Sequence, residues 1–229
     1  DIDPRVPFAV SALTLLATTA GLIAVERRLG DGGETAGAKA APAGVEPRVV
    51  LFFAGSVLLA LGFQVHFNLN SSGQYLRFAG PAALQVLMPV FWIGFNLLMF
   101  PGAALARRLG ALPVMAGAAA LGVAGMAAAG LAGNLPVLVA AQFVAGGAWG
   151  GALMAGFAGS MGFGHTGREG LMVGALSSLL AVAALLRIAT AAAGAGAAAD
   201  VLTWLPPGLW AIGGVAVLAA GRRAVPRVA

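Results

Sequence analysis

Gln64, His66, Asn68 and Asn70 stand at alternate positions at the end of one apolar run, in Gln64-Val-His66-Phe-Asn68-Leu-Asn70. On a helix, Gln64 lies one turn from Asn68 and His66 one turn from Asn70, so the two pairs project to different faces. Imidazole titrates near neutral pH, which suits His66 to holding a proton or a polar solute. The amides offer both donors and acceptors. The same four residues could equally cap a helix end in water or bond across helices. A second polar pattern follows: Gln85, Met88, Trp92, Asn96 and Met99 recur at spacings that fall on one helical face. That face either lines a cavity or packs on a neighbour. Gln142, Gly146 and Trp149-Gly150 share a third face, whose Gly146-Gly147-Ala148-Trp149-Gly150-Gly151 run reads as a close-packing or bending element. Arg187 is the one cation well inside an apolar run. It either snorkels to an interface or anchors an anionic group.

These residues need a scaffold, and composition says which kind. The chain has 229 residues, of which 60% are hydrophobic and 9% charged. Its mean hydropathy is +0.93. Soluble domains carry about 25% charged residues, so this is a polytopic all-α membrane protein. With no cysteine there is no disulfide or thiolate chemistry. Seven scattered Met residues without a tight Met/His cluster make no copper site. No cofactor motif and no nucleophile–base–orienter set is present, so neither a cofactor nor an enzyme is expected.

Seven runs are long enough to cross a hydrocarbon core of about 30 Å: Pro7–Val25, Val49–Phe67, Ala83–Leu105, Leu112–Leu131, Pro136–Met161, Gly170–Ala193 and Thr203–Ala220. Polar intramembrane residues are costly, so those above are the site candidates. All eight acids (Asp1, Asp3, Glu26, Asp31, Glu34, Glu46, Glu169 and Asp200) fall between runs. No carboxylate is left to relay a proton within them.

The net charge of +5 does not imply nucleic acid, because the cations sit at run ends. With Asp1 outside, the inner side holds Arg27, Arg28, Lys39, Arg48, Arg107, Arg108, Arg168, Arg222, Arg223 and Arg227, against Arg5 and Arg77 outside. That bias places the C-terminus in the cytoplasm, as expected for a bacterial inner-membrane protein. Residues 26–48 read as a cytoplasmic linker, separating one helix (1–25) from a six-helix block (49–229).

Two loop motifs then carry a resemblance. Ala103-Ala104-Leu105-Ala106-Arg107-Arg108-Leu109-Gly110 joins the third and fourth spans, and His165-Thr166-Gly167-Arg168-Glu169-Gly170 precedes the sixth. The chain resembles the major facilitator superfamily, whose loop signature is roughly G-x-L-A-D-R-x-G-R-R. Leu105, Ala106, Arg108 and Gly110 fit it; Ala103 replaces the leading Gly, Arg107 the Asp, and the trailing basic pair is missing. The Arg168 loop is similar to the one before the eleventh helix of many members. The resemblance implies the last helix of an N-terminal bundle, the central loop and a C-terminal six-helix bundle. It also implies alternating-access transport of a small solute. The partners would then be the lipid bilayer, the solute and the missing N-terminal bundle. The alternative is a non-transporting relative, serving as subunit or assembly factor of a larger membrane complex.

Overall fold

In the computed structural model, residues 6–29, 46–164, 167–192 and 199–221 are described, and no strand occurs among them. The chain forms two compact units, residues 1–41 and 42–229. The first contains α1 (Val6–Leu29). Thr14, Thr18 and Thr19 each donate to the carbonyl four residues earlier, which satisfies hydroxyls that an apolar helix otherwise leaves unpaired.

The second unit holds six helices long and apolar enough to cross a membrane. Pro47 opens α2 (Pro47–Val65), where a missing N–H costs nothing. The helix does not end near Phe67, where hydropathy alone stops it. It passes through a π-helical turn, His66–Asn70, into α3 (Ser71–Leu76), giving one span of 30 residues. The wide turn is held by Ser71, whose hydroxyl donates to the His66 carbonyl at 3.0 Å. The next span begins with a 3₁₀ turn, Pro81–Ala83, and α4 (Leu84–Leu87). Helical geometry breaks at Met88 because Pro89 has no N–H to donate, and α5 (Pro89–Leu109) follows. Then come α6 (Ala111–Leu131), α7 (Leu135–Gly164), α8 (Glu169–Ala192) and α9 (Ala199–Gly221). Six of the seven expected spans thus stand close to where hydropathy places them. In α1 the apolar stretch Ala12–Val25 is shorter.

The packing order repeats after three spans. α2 packs on α9 and α8; correspondingly, α7 packs on α6 and α5, while α6 and α9 pack on each other. Exchanging α2, α5 and α6 with α7, α8 and α9 maps these pairs onto one another, whereas the α7–α8 and α5–α6 contacts have no equal counterparts between α2 and α5 or between α8 and α9.

Lipid gives helices no hydrophobic reason to associate, so close backbone approach must hold them. α5 and α7 meet through two matching Phe-x-x-Gly segments. A Cβ on Gly94 would overlap the Phe143 carbonyl oxygen, and one on Gly146 the Phe91 carbonyl oxygen. Gly150 abuts Phe95 in the same seam, so the glycine run of α7 is a packing element. α2 and α9 repeat the device, with Gly55 and Gly213 each facing the other's carbonyl. Trp210 fills the centre, fully buried between Gly62 and Gly122, its indole N–H donating to the Leu59 carbonyl at 2.8 Å.

Candidate functional site

The polar residues sort into two groups that lie on different sides of the helix surfaces. The first is buried. His66 and Gln142 are 1% and 0% exposed, and His66 Nε2 lies 3.0 Å from Gln142 Oε1. Gln142 Nε2 donates to Gln74 Oε1 at 2.9 Å, which leaves Oε1 as the acceptor end of that amide. His66 therefore carries a proton on Nε2 and donates it to Gln142. Ser71 also reaches Gln142 Oε1, at 3.3 Å. Asn70, on the far side of the π turn, donates to the Leu202 carbonyl. One residue of α7 thus gathers three side chains of the α2–α3 span, two of them beyond the turn's first residue. Hydropathy missed Ser71 and Gln74, because Ser71-Ser72-Gly73 reads as a loop.

The second group faces outward from the six-helix unit. Gln64 is half-buried and Asn68 exposed, and Asn68 Nδ2 donates back to Gln64 Oε1 at 2.9 Å. This i,i+4 bond is the one helical spacing requires. Asn96 is exposed and bonds the Trp92 carbonyl of its own helix at 2.8 Å. Trp92, 40% exposed, joins the two helices by edge contacts with Phe67 at 5.2 Å and Phe63 at 6.1 Å. Gln64, Asn68, Trp92 and Asn96 therefore belong to one outward face of α2 and α5. Gln85 is exposed on α4, in line with that stripe by its spacing.

α5 shows why this face differs from an ordinary lipid-facing surface. Its inner side carries Phe91 and Gly94, buried against α7. Val86, Ile93, Leu97 and Phe100 recur at helical spacing as an exposed, wholly apolar stripe. The amide–indole stripe runs between these two. One exposed surface suits acyl chains; the other would leave there the amide donors and acceptors that the i,i+4 bonds do not use, at a cost for each.

The loop-motif residues are placed separately. Leu105 and Arg108 are exposed near the end of α5, and Ala106 packs against the core. Gly110 has φ +92°, ψ 152°, a conformation essentially restricted to glycine, and its N–H closes α5 on the Ala106 carbonyl. A single residue thus turns α5 into α6, which explains the glycine of the motif sterically. Arg168 is half-buried in the turn before α8, where Glu169 accepts from the Gly167 N–H at 2.8 Å. His165 and Thr166 lie outside the described residues. Arg187 is half-buried on α8. Among the described residues no cluster of His and carboxylate ligands could hold a metal.

Comparisons with family models, with curated proteins and with solved structures give no match.

Proposed function

We propose that this chain is the C-terminal part of a major-facilitator-type secondary transporter, moving a small solute by alternating access. The observation that carries the reading is the outward amide–indole face of α2 and α5, set beside an apolar face of the same helix α5. Opposite a second bundle, that polar face lines a central cavity, and Gln64, Asn68, Gln85, Trp92 and Asn96 meet the solute. The packing order that repeats after three spans supports the architecture, since such halves are built from three-helix repeats. In this reading α1 is the seventh span, the close of the preceding bundle. The linker and C-terminus are then cytoplasmic, in agreement with the distribution of cations.

Arg107, standing where the family signature has Asp, favours a second reading. A non-transporting relative would need no gate charge, and its polar face would seat a helix of a larger membrane complex.

One experiment addresses both. The chain has no cysteine, so single replacements at Asn68, Asn96, Ile93 and Leu97 can be challenged with a membrane-impermeant thiol reagent in native vesicles. A transporter labels at 68 and 96 and stays silent at 93 and 97. Labelling at 93 and 97 as fast as at 96 would sink the cavity. Protection of all four, relieved only when the complex is dissociated, supports the subunit reading. Labelling at residue 39 from the periplasmic side would reverse the orientation.

A further inference from the structure

At one end of the six-helix unit, the start of α2, the end of α5, the start of α6, and the ends of α7 and α9 surround a cavity of about 970 Å³. Its mouth carries Arg48, Arg107 and Glu46, and Leu112, Met154 and Phe157 line it further in. We propose that this cavity binds an anionic phospholipid, with the phosphodiester at the arginines and part of an acyl chain along the apolar wall.

The charges suit that ligand. Two guanidiniums against one carboxylate leave the mouth one positive charge in excess, which a singly charged phosphodiester balances. Arg48 is held in place: its Nε–H donates to the Ala220 carbonyl at 2.9 Å, and its guanidinium lies 5.9 Å from the centre of the Phe163 ring. Its terminal nitrogens and all of Arg107 keep their donors, since neither forms an ion pair among the described residues. Planar guanidiniums with free donors match phosphate oxygens. Arg108 adjoins Arg107 and is exposed at the same end of α5, which adds positive charge near the mouth.

Depth points to a lipid more than to a free anion. The cavity opens where five spanning helices begin or end, which is the level of the headgroups. Met154 lies ten residues before the end of α7 at Gly164, about 15 Å deeper at 1.5 Å per residue. A phosphate alone would leave this apolar wall uncovered, whereas an acyl chain covers it. Basic pockets between membrane helices take anionic headgroups in this way.

The test is retention of lipid by the purified chain, measured by native mass spectrometry after equal exposure to phosphatidylglycerol and phosphatidylcholine. Phosphatidylglycerol should be retained in preference. Arg107→Gln should lower its retention roughly fivefold, the factor one charge is worth beside a headgroup, without changing that of phosphatidylcholine. Met154→Trp keeps every charge, fills the tail path, and should also lower retention. Equal retention of the two lipids would overturn the proposal, as would an Arg107→Gln protein that holds phosphatidylglycerol unchanged. Displacement of the lipid by millimolar inorganic phosphate, with Met154→Trp silent, would reveal a phosphate site instead.

Discussion

The buried and the outward polar residues use the same chemistry to opposite ends. His66, Ser71 and Gln74 converge on Gln142 across two helices, and all four side chains are buried. Gln64, Asn68 and Asn96 bond only within their own helices, although they too belong to spans. A buried set that crosses helices fixes structure, because losing any member strands the others. An exposed set that is satisfied locally adds little to the fold and keeps spare donors and acceptors for something outside it. Amides that bond only within their own helices, beside a wholly apolar exposed stripe, are the contrast on which the proposed cavity wall rests.

The comparison presumes that the seams hold the bundle, and the largest expected effect tests that presumption. In Gly146→Val the new side chain must displace the Phe91 backbone, which cannot yield as a flexible side chain would. The cost should reach or exceed the roughly 3 kcal/mol typical of severe overpacking, and the protein should lose its monodisperse peak in size-exclusion chromatography. Gly174→Val on α8 is the matched control, since nothing lies within 4 Å of its added Cβ, and it should elute normally. Collapse of both proteins would mean that valine, and not the seam, is the cause.

Gln142→Leu should have the next largest effect. It leaves the His66 and Gln74 side chains without the partners they have, and lowers stability by about 1–2 kcal/mol. Adding His66→Ala to that background should cost less than the same change in the unaltered protein, by a double-mutant cycle in thermal denaturation. Strict additivity would dissolve the buried set into unrelated contacts.

The positions of the spans were legible in the sequence because hydropathy averages over some twenty residues and tolerates errors at the ends. Residues 68–76 were not, because Ser71-Ser72-Gly73 has the local chemistry of a loop and the π turn that keeps it helical is held by Ser71 from within. Of the five residues that spacing puts on one face, Gln85, Trp92 and Asn96 are exposed, while Met88 packs against the buried cluster of Tyr75 and Leu138 and Met99 lies beside Gly150 of α7. Which polar residues lie inside was not legible: His66 and Gln142 are 76 positions apart, and neither has a local signal that it will meet the other. Spacing already put the Gln64–Asn68 and His66–Asn70 pairs on different faces; what it could not say is that the His66 face turns inward and the Asn68 face outward.

The smallest expected effect decides whether that separation has meaning. Asn96→Ala removes one bond to the Trp92 carbonyl, which already belongs to a helical ladder, and Asn68→Ala removes one side-chain pair on a helix surface. Each such local bond is worth about 0.2–0.5 kcal/mol, so the double variant should denature within about 1 kcal/mol of the unaltered protein. Its transport of any solute carried by the whole protein should nonetheless fall at least tenfold, since both amides leave the cavity wall while the fold stays intact. A loss of stability as large as that of Gln142→Leu would break the comparison, because the outward amides would then be structural as well. Unchanged stability together with unchanged transport would separate these residues from the solute and leave the face to a protein partner. Only unchanged stability with lost transport fits a wall whose amides are held ready for a ligand by their own helices.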